Sequence, residues 1–259
     1  MKVKITKSEN VKKFSNIFKN IGHLQELFKI NFTEDGLTGQ AMDSAHVCLF
    51  ELCMKKDWFC EYEVDEPVSI GVASVLFCKM IECLNEGQEI ILHMDENSDR
   101  LSMDLVGEKG LNKYFEVPLI DIDLEEVEVP DTEYQADIEL KSDIFQELVD
   151  QFELFNDALN IKCDDEHIDM TSNGEQGKMS IKIDADDIIE YAIEEDLKIS
   201  LTFSLPYLHK MCMFKKLATS VSLHLSNETP MKLQYKLGDN DEKDENYLRF
   251  FLASKVEDE

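Results

Sequence analysis

The side chains best suited to bind a metal ion form one short segment, Asp164-Asp165-Glu166-His167, with Asp169 close behind it. Carboxylate and imidazole groups are common ligands of divalent metals in proteins. The segment lies, however, where a polar turn is expected, and three other places in the chain carry similar polar turns. We therefore interpret it as a turn and predict no metal site.

The other candidate segments also lack residues that a metal site, a nucleotide-binding site or an active site would need. Asp239–Asp244 resembles a calcium loop, but it has no glycine at its sixth position, and Lys243 stands where an oxygen ligand belongs. Asp121-Ile122-Asp123 is interpreted as a solvated acidic face. The ten glycines form no nucleotide-binding motif, and no serine-hydrolase or zinc-protease motif is present. The sequence predicts a protein that is not an enzyme and has no cofactor.

One pattern of a helix followed by a polar hairpin turn recurs four times along the chain. Helices are predicted to begin at Asn10, Ser74, Ser142 and Pro206, and the turns lie at residues 33–36, 95–99, 164–167 and 226–229. A period of about 65 residues indicates one supersecondary unit used repeatedly. Two domains of two repeats each suit a chain of 259 residues.

Each predicted helix has one apolar face, and alternating strands follow it. Ser142 is predicted to cap the third helix, and Pro206 to lie in the first turn of the fourth. Each repeat is therefore expected to place a helix on one face of an antiparallel sheet whose other face is wet. The predicted buried helix residues are Val11, Phe14, Ile17, Phe18 and Ile21; Leu76, Phe77, Met80, Ile81 and Leu84; Phe145, Leu148, Phe152 and Phe155; and Leu208, Met211 and Cys212.

The net charge limits which partners the protein can bind, and the cysteine content indicates the redox state of its compartment. The chain has 26 basic and 55 acidic residues, a net charge of −29, which repels nucleic-acid phosphates at long range. Its seven cysteines include no CxxC pair, which indicates free thiols in a reducing compartment. No signal peptide or membrane span is recognised. The composition predicts a soluble intracellular protein that meets nucleic acid only through a local basic surface.

The segment Val117–Pro130 is acidic and bounded by prolines, yet it keeps several Ile, Leu and Val residues. A purely solvated linker does not need these apolar side chains. Two interpretations stay open: the segment packs on its own domain, or it presents a docking edge to a partner.

Residues 37–49, LTGQAMDSAHVCL, closely resemble the signature of the proliferating cell nuclear antigen family, the eukaryotic-type DNA sliding clamps. Three further stretches agree in the same order: the connector from Asp121 to Tyr134, Met231–Lys236, and the tail Phe250–Glu259. The resemblance implies an α+β DNA-clamp fold of four helix-plus-antiparallel-sheet units in two similar domains, which forms a pseudo-sixfold ring as a trimer. It implies an N-terminal clamp domain at 1–117, an interdomain connecting loop at 118–134 and a C-terminal clamp domain at 135–259.

The resemblance also implies two protein-binding surfaces. Strand edges of neighbouring protomers would pair through Tyr114, Phe115, Met179 and Ile181. A pocket would receive the aromatic and aliphatic anchors of short peptides from DNA polymerase, ligase, flap nuclease and clamp-loader subunits. The matching pocket residues are Met42, His46, Val47, Leu49, Val127, Val129, Pro130, Pro230, Phe251, Leu252 and Ala253.

In this family the helices line the ring and carry basic residues toward DNA. The third helix departs from that pattern, with Asp143, Glu147, Asp150 and Glu153 and no basic residue, and Glu82 replaces an expected lysine. We therefore expect weak contact with DNA, carried mostly by the first and fourth repeats. The predicted DNA-facing residues are Lys12, Lys13, Lys19, Lys79, Lys210, Lys215 and Lys216.

Two further departures concern regulation and clients. Asp165 replaces the lysine that family members modify with ubiquitin-like proteins, although Lys162 is nearby, and Ser254 replaces a proline beside the client pocket. Such divergence is compatible with a viral or deep-branching clamp.

Together these features predict a homotrimeric sliding clamp. It would be a processivity factor that encircles duplex DNA without sequence preference and tethers replication and repair enzymes, in the nucleus or a viral replication compartment. Two alternatives stay open. One is a subunit of a heterotrimeric checkpoint or mixed clamp; the other is a clamp-fold protein that binds clamp clients without encircling DNA.

Overall fold

The computed structural model describes residues 1–96, 98–108, 110–122, 127–130, 132–238 and 245–255. These residues form two compact units. Unit 1 contains Met1–Ala41, Glu51–Val127 and Lys236–Leu248, and unit 2 contains Met42–Phe50, Glu128–Tyr235 and the chain from Arg249 onward. The predictions for Asp239–Asp244, for residues 123–126 of the connector and for the tail from Val256 lie outside the described residues.

In the described residues, the order strand, helix, three strands occurs four times, twice in each half of the chain. This confirms the fourfold repeat and the α+β class. The elements of the first half are β1 (Lys2–Ile5), α1 (Ser8–Asn20), β2 (Leu27–Thr33), β3 (Gly36–Met42), β4 (Cys48–Lys55), β5 (Glu61–Glu63), β6 (Val68–Ala73), α2 (Ser74–Glu82), β7 (Glu89–His93), β8 (Arg100–Val106) and β9 (Lys113–Pro118).

The second half repeats the order, again with one additional short strand. Its elements are β10 (Ala136–Lys141), α3 (Ser142–Glu153), β11 (Ala158–Cys163), β12 (His167–Gly174), β13 (Gly177–Asp184), β14 (Glu190–Ile193), β15 (Ile199–Ser204), α4 (Leu205–Cys212), β16 (Ser220–Leu225), β17 (Met231–Lys236) and β18 (Tyr247–Leu252).

Within each unit, the two repeats exchange their first strands. In unit 1, β1 pairs with β7 of the second repeat, and β6 pairs with β2 of the first. In unit 2, β10 pairs with β16 and β15 pairs with β11. Because each repeat completes the sheet of the other, a single repeat cannot bury its own apolar face. Each unit is therefore built from a pair of interlocked repeats.

The two helices of unit 1 pack together over aromatic side chains. Phe18 lies 4.4 Å from Phe14 and 4.9 Å from Phe77, measured between ring centroids. The predicted face of α1 is buried, as are Phe77, Met80 and Ile81 on α2. Leu76 was predicted to be buried, but it is 42% exposed. In so short a helix, Phe77 and Ile81 define the buried face, and Leu76 lies beside it.

In unit 2, α3 turns its buried face slightly away from the predicted one. Phe145, Val149 and Phe152 are buried, whereas Leu148 is half-buried and Phe155 is 36% exposed. The cap prediction is also wrong: Ser142 is the first helical residue, Lys141 holds the N-cap position, and no side chain caps the helix. On α4, the predicted burial of Leu208, Met211 and Cys212 is confirmed. None of the helices in the described ranges is long and apolar enough to cross a membrane.

The first part of the connector packs on unit 1. The Ile120 N–H donates to Gly71 O at 2.8 Å, and the two residues form an isolated β-bridge beside β6. A Cβ atom at Gly71 would lie only 2.2 Å from Ile120 O, so glycine permits this close approach. The sequence left two interpretations open for the connector, packing on its own domain or docking a partner. For the connector residues up to Ile122, the first interpretation is correct.

Candidate functional site

The acidic segment singled out in the sequence forms the turn between β11 and β12. Asp164 Oδ1 accepts the N–H groups of Glu166 and His167, which lowers the pKa of Asp164 below its usual value. Both ring nitrogens of His167 face carboxylates, at 3.1 Å from Asp164 and 3.2 Å from Asp169. Among the described residues, no three His, Cys, Asp or Glu side chains are grouped to hold a metal ion. These contacts hold a turn together.

Three of the predicted DNA-facing lysines lie on the helices of unit 1, off the buried faces. Lys12 and Lys79 are exposed, and Lys19 in the last turn of α1 is half-buried. These side chains remain available to an anionic partner on the helical side of unit 1. The same surface carries the exposed Glu82.

Lys13 does not belong to that surface. Its side chain is buried, and its ammonium group donates to Leu237 O at 3.1 Å and pairs with Glu9 at 2.7 Å. The indole N–H of Trp58 donates to the same carbonyl at 3.4 Å. We therefore correct the prediction for Lys13: its charge binds the carbonyl at the end of β17 rather than facing DNA.

Replacing Lys13 with methionine is expected to lower the free energy of unfolding by about 1–3 kcal/mol, because Leu237 O and Glu9 lose a buried charged donor. The matched change at exposed Lys12 should stay within about 0.5 kcal/mol. Urea unfolding of both variants provides the comparison. Equal effects at the two positions would contradict the assignment of Lys13 to the interior.

Two side chains of the fourth repeat, those of His209 and Lys215, contact the acidic third helix. Lys210 is exposed on α4, whereas Lys215 and Lys216 lie on a 3₁₀ turn, Lys215–Leu217, that follows the helix. Lys215 is 3.0 Å from Asp143 of α3. His209 Nδ1 lies 3.1 Å from Asp150 and 3.4 Å from Glu153. Part of the α3 charge is thus paired within unit 2.

The turn between β3 and β4 carries three of the predicted client-pocket residues: Met42 and Val47 are half-buried, and His46 is exposed. Asp43 organises this turn. Its Oδ1 accepts the N–H groups of Val47 and Cys48, both at 2.7 Å, and its Oδ2 accepts the Ala45 N–H at 3.1 Å. The Tyr207 hydroxyl of α4 donates to the same Oδ2 at 2.6 Å.

These hydrogen bonds change the acidity of both partners. Burial raises the pKa of Asp43, but the donors from Tyr207 and the turn outweigh it and hold that pKa below its ordinary value. The hydrogen bond to Asp43 raises the pKa of Tyr207 to about 12. Because the folded-state pKa of Asp43 is depressed, its contribution to stability is complete above the ordinary carboxyl range and is lost as pH falls through the depressed value.

The tail adjoins this turn, since the Ala253 N–H donates to Val47 O at 3.0 Å. Ala253 is half-buried, and Pro230, just before β17, is exposed. Phe251 is 9% exposed, Leu49 is 5% exposed and Leu252 is not exposed at all. The prediction that Leu252 lines a surface pocket is therefore wrong, because its side chain belongs to the core beneath.

The predicted pocket residues of the connector are divided between the two units. In unit 1, Val127 is 40% exposed. Its backbone forms two hydrogen bonds with the Gln40 side chain: the Val127 N–H donates to Oε1 at 2.7 Å, and Nε2–H donates to the Val127 carbonyl at 2.9 Å. In unit 2, Val129 is half-buried and Pro130 is exposed.

The four predicted interface residues lie on edge strands. β9 is the outer strand of the sheet β5-β1-β7-β8-β9 in unit 1, and β13 is the outer strand of the sheet β13-β12-β11-β15 in unit 2. Tyr114 is 69% exposed, and Phe115, Met179 and Ile181 are half-buried. Each strand presents apolar side chains beside backbone groups that can pair outward.

The sequence did not single out three residues that hold members of the predicted client pocket in place: Gln40 in unit 1, and Asp43 and Tyr207 in unit 2. Asp43 carries a recognisable signal, because an aspartate before serine commonly accepts hydrogen bonds from its own turn. Gln40 and Tyr207 carry no such local signal, since their hydrogen-bond partners lie 87 and 164 residues away in the chain.

Paired repeats, two helices per unit and exposed edge strands define a clamp-type α+β protein. Sequence profiles agree: that of the proliferating cell nuclear antigen N-terminal domain matches residues 1–127, and that of the C-terminal domain matches residues 128–255. The chain is 29% identical over 232 residues to a protein named proliferating cell nuclear antigen from Chaetomium thermophilum, covering 87% of this chain and 88% of that protein. The chain belongs to the proliferating cell nuclear antigen family.

Membership in this family confirms the predicted fold class of two similar clamp domains. It also confirms that the protein is a clamp and not an enzyme. Its general role is that of a sliding clamp in DNA replication and repair, with DNA, client proteins and further clamp subunits as partners.

Proposed function

We propose that three copies of this chain close into a ring around duplex DNA and act as a processivity factor. The supporting observation is that the family match extends from residue 1 to residue 255, while each unit has an outer strand at the predicted interface. Pairing β9 of one copy with β13 of the next is a head-to-tail contact. Such contacts close into a ring when the rotation between copies allows it.

A ring holds DNA topologically, so contact with the phosphates can be weak and sliding remains easy. The proposed DNA-facing residues are those predicted, without the buried Lys13: Lys12, Lys19, Lys79, Lys210, Lys215 and Lys216. Lys215 contributes less because Asp143 already pairs with it.

We propose that residues 118–134 connect the two clamp domains and border the client site. The anchors of polymerase, ligase, flap nuclease and clamp-loader peptides would contact the accessible members of the predicted set, with Leu49 and Leu252 supporting them from below. Replication in the nucleus, or in a viral compartment, is the setting that this role requires. The accessible members are Met42, His46, Val47, Val129, Pro130, Pro230 and Ala253 in unit 2 and Val127 in unit 1, whereas Phe251 is buried and belongs with the supporting residues.

The test is retention on circular DNA. The protein is loaded onto nicked circular plasmid by a clamp loader with ATP, and the DNA-bound fraction is isolated by gel filtration in high salt. We expect the protein to stay with the circle and to leave when a restriction enzyme linearises it. Release that does not depend on linearisation would contradict a topological tether.

Reversing two of the charges provides a second test of the helical surface. The double variant Lys12→Glu, Lys19→Glu should reduce the loaded fraction about 10-fold at physiological salt, because two phosphate contacts become repulsive. Lys162→Glu is the matched control, because Lys162 is exposed on β11 between Ile161 and Cys163, which are buried toward the interior. If the double variant and the control lose the same share of the loaded fraction, DNA does not contact the helical surface that carries Lys12 and Lys19.

One observation favours a second candidate, a subunit of a heterotrimeric clamp. The exposed face of α3 carries four carboxylates, and within unit 2 Lys215 pairs with one of them, that of Asp143. A neighbouring subunit of different sequence could supply the remaining positive charge. Such a subunit would not form a trimer on its own, so its solution mass distinguishes the two.

A further inference from the structure

The turn that follows β3 has a shape that its own backbone does not favour. His46 adopts a left-handed conformation with φ of 55°, which costs about 1 kcal/mol for a residue with a side chain. Backbone hydrogen bonds from Asp43 N–H to Cys48 O and from His46 N–H to Asp43 O close the turn at 2.9 and 3.0 Å. The Asp43 carboxylate adds three bonds from inside the turn and one from Tyr207.

Tyr207 supplies a contact of a different kind, because it comes from a helix. It lies in the first turn of α4, and its hydroxyl reaches the carboxylate oxygen that also accepts the Ala45 N–H. A hydroxyl bound to a carboxylate at 2.6 Å is a charge-assisted hydrogen bond, among the stronger kinds in proteins. It fixes the orientation of Asp43, and therefore the three backbone groups that Asp43 holds.

The same turn determines where the tail begins. Val47 receives an Asp43 bond through its N–H and gives its carbonyl to the Ala253 N–H. Beyond it, the Lys255 N–H donates to Thr202 O of β15 at 2.7 Å. A rotation of the turn around Val47 would therefore displace Ala253 as well.

We propose that Asp43 and Tyr207 form a positioning pair that holds the turn and the tail in the arrangement a client peptide binds. This inference rests on the proposed client-binding function and adds two residues to it that contact no peptide themselves. Met42, His46, Val47 and Ala253 would meet the peptide, and the pair keeps them at fixed separations. Preorganisation of this kind improves affinity because the ordering cost is met before binding.

The test compares Tyr207→Phe with Tyr235→Phe. Each change removes one tyrosine hydroxyl from unit 2, but the Tyr235 hydroxyl donates to Met211 O at 3.3 Å and does not contact Asp43. The probe is a fluorescein-labelled peptide from the clamp-binding segment of a flap nuclease, with aliphatic and aromatic anchors. Binding is followed by fluorescence anisotropy, and amide hydrogen exchange of the turn is measured in the same proteins without peptide.

We expect Tyr207→Phe to raise the peptide Kd about 10-fold, the size of one lost charge-assisted hydrogen bond. Exchange at the amides of Ala45, Val47 and Cys48 should accelerate in this variant and stay unchanged in Tyr235→Phe. Asp43→Asn should exceed the effect of Tyr207→Phe, because the amide NH₂ cannot accept from Ala45.

Three results would overturn the proposal. In the first, Tyr207→Phe binds the peptide within twofold of the unmodified protein. In the second, both phenylalanine variants weaken binding equally, which would show a general loss of stability. In the third, the turn amides exchange faster but peptide binding is unaffected, which would make the pair purely structural. Failure of the unmodified protein to bind any clamp-client peptide would instead refute the client site itself, and exchange data would still report whether the pair holds the turn.

Discussion

Replacing Val129 with aspartate is expected to weaken client-peptide binding by about 100-fold or more while the protein stays folded and assembled. A carboxylate there would lose hydration against apolar anchors, and losses of 2–4 kcal/mol are usual when a central apolar contact is disrupted. Val129 is half-buried, so the change does not place a charge in the core. Fluorescence anisotropy measures the affinity, and light scattering of the same sample measures assembly.

Ile189→Asp is the matched control for this variant. Ile189 is a β-branched residue of unit 2, it is 54% exposed, and it lies outside the proposed client site. Its substitution should leave the Kd within about twofold. If Val129→Asp binds as well as the control, the connector does not contact clients in the way proposed.

The second large effect concerns assembly. Ile181→Asp should convert the proposed trimer to monomers at low micromolar concentration, because it introduces a charge into the row of half-buried apolar side chains along β13. Ile181 pairs with Met170 of β12 on one side only, and its other side is where β9 of the next copy is proposed to bind. A desolvated, unpaired carboxylate would cost several kcal/mol at each of the three contacts of the proposed ring.

Ile189→Asp again serves as the control, and circular dichroism verifies the fold of both proteins. We expect the control to keep the mass of the unmodified protein. A trimer that survives Ile181→Asp with unchanged dissociation on dilution would remove β13 from the interface.

The repeat was predictable from sequence, but the way the repeats combine was not. Apolar periodicity along α1 and the alternating strands after it are local signals, and they indicated the element types correctly. The exchange of β1 and β6 between repeats is not local. Either strand could pair with its own repeat or with its neighbour, and only the complete sheet decides between them.

The same limit explains Lys13. Its position next to Lys12 suggested a pair of exposed lysines, and nothing within one turn of helix contradicts that. The carbonyl that binds it, Leu237 O, is 224 residues away in the chain. The error at Leu252 has a different cause. Leu248, Phe250 and Leu252 alternate along β18 and share its buried face, a local pattern that the resemblance to the family overrode.

The family signature predicted residues of the proposed client site but not the residues that hold them in place. Met42, His46, Val47 and Leu49 were predicted by resemblance to the family, and the structure adds the Asp43 carboxylate and Tyr207, which hold the turn. Likewise, the connector was recognised from composition, whereas Gln40, which holds Val127 by two hydrogen bonds, was not. Supporting contacts of this kind join distant segments, so sequence pattern alone does not reveal them.

The solution mass of the unmodified chain tests the central claim most directly. Multi-angle light scattering at low micromolar concentration and physiological salt should give about 90 kDa, three times the chain mass of 29.9 kDa, because closed rings of identical subunits have a fixed copy number. With a net charge of −29 on each copy, added salt should stabilise the ring by screening repulsion. A mass that stays near 30 kDa as concentration and salt rise would contradict a self-assembled clamp.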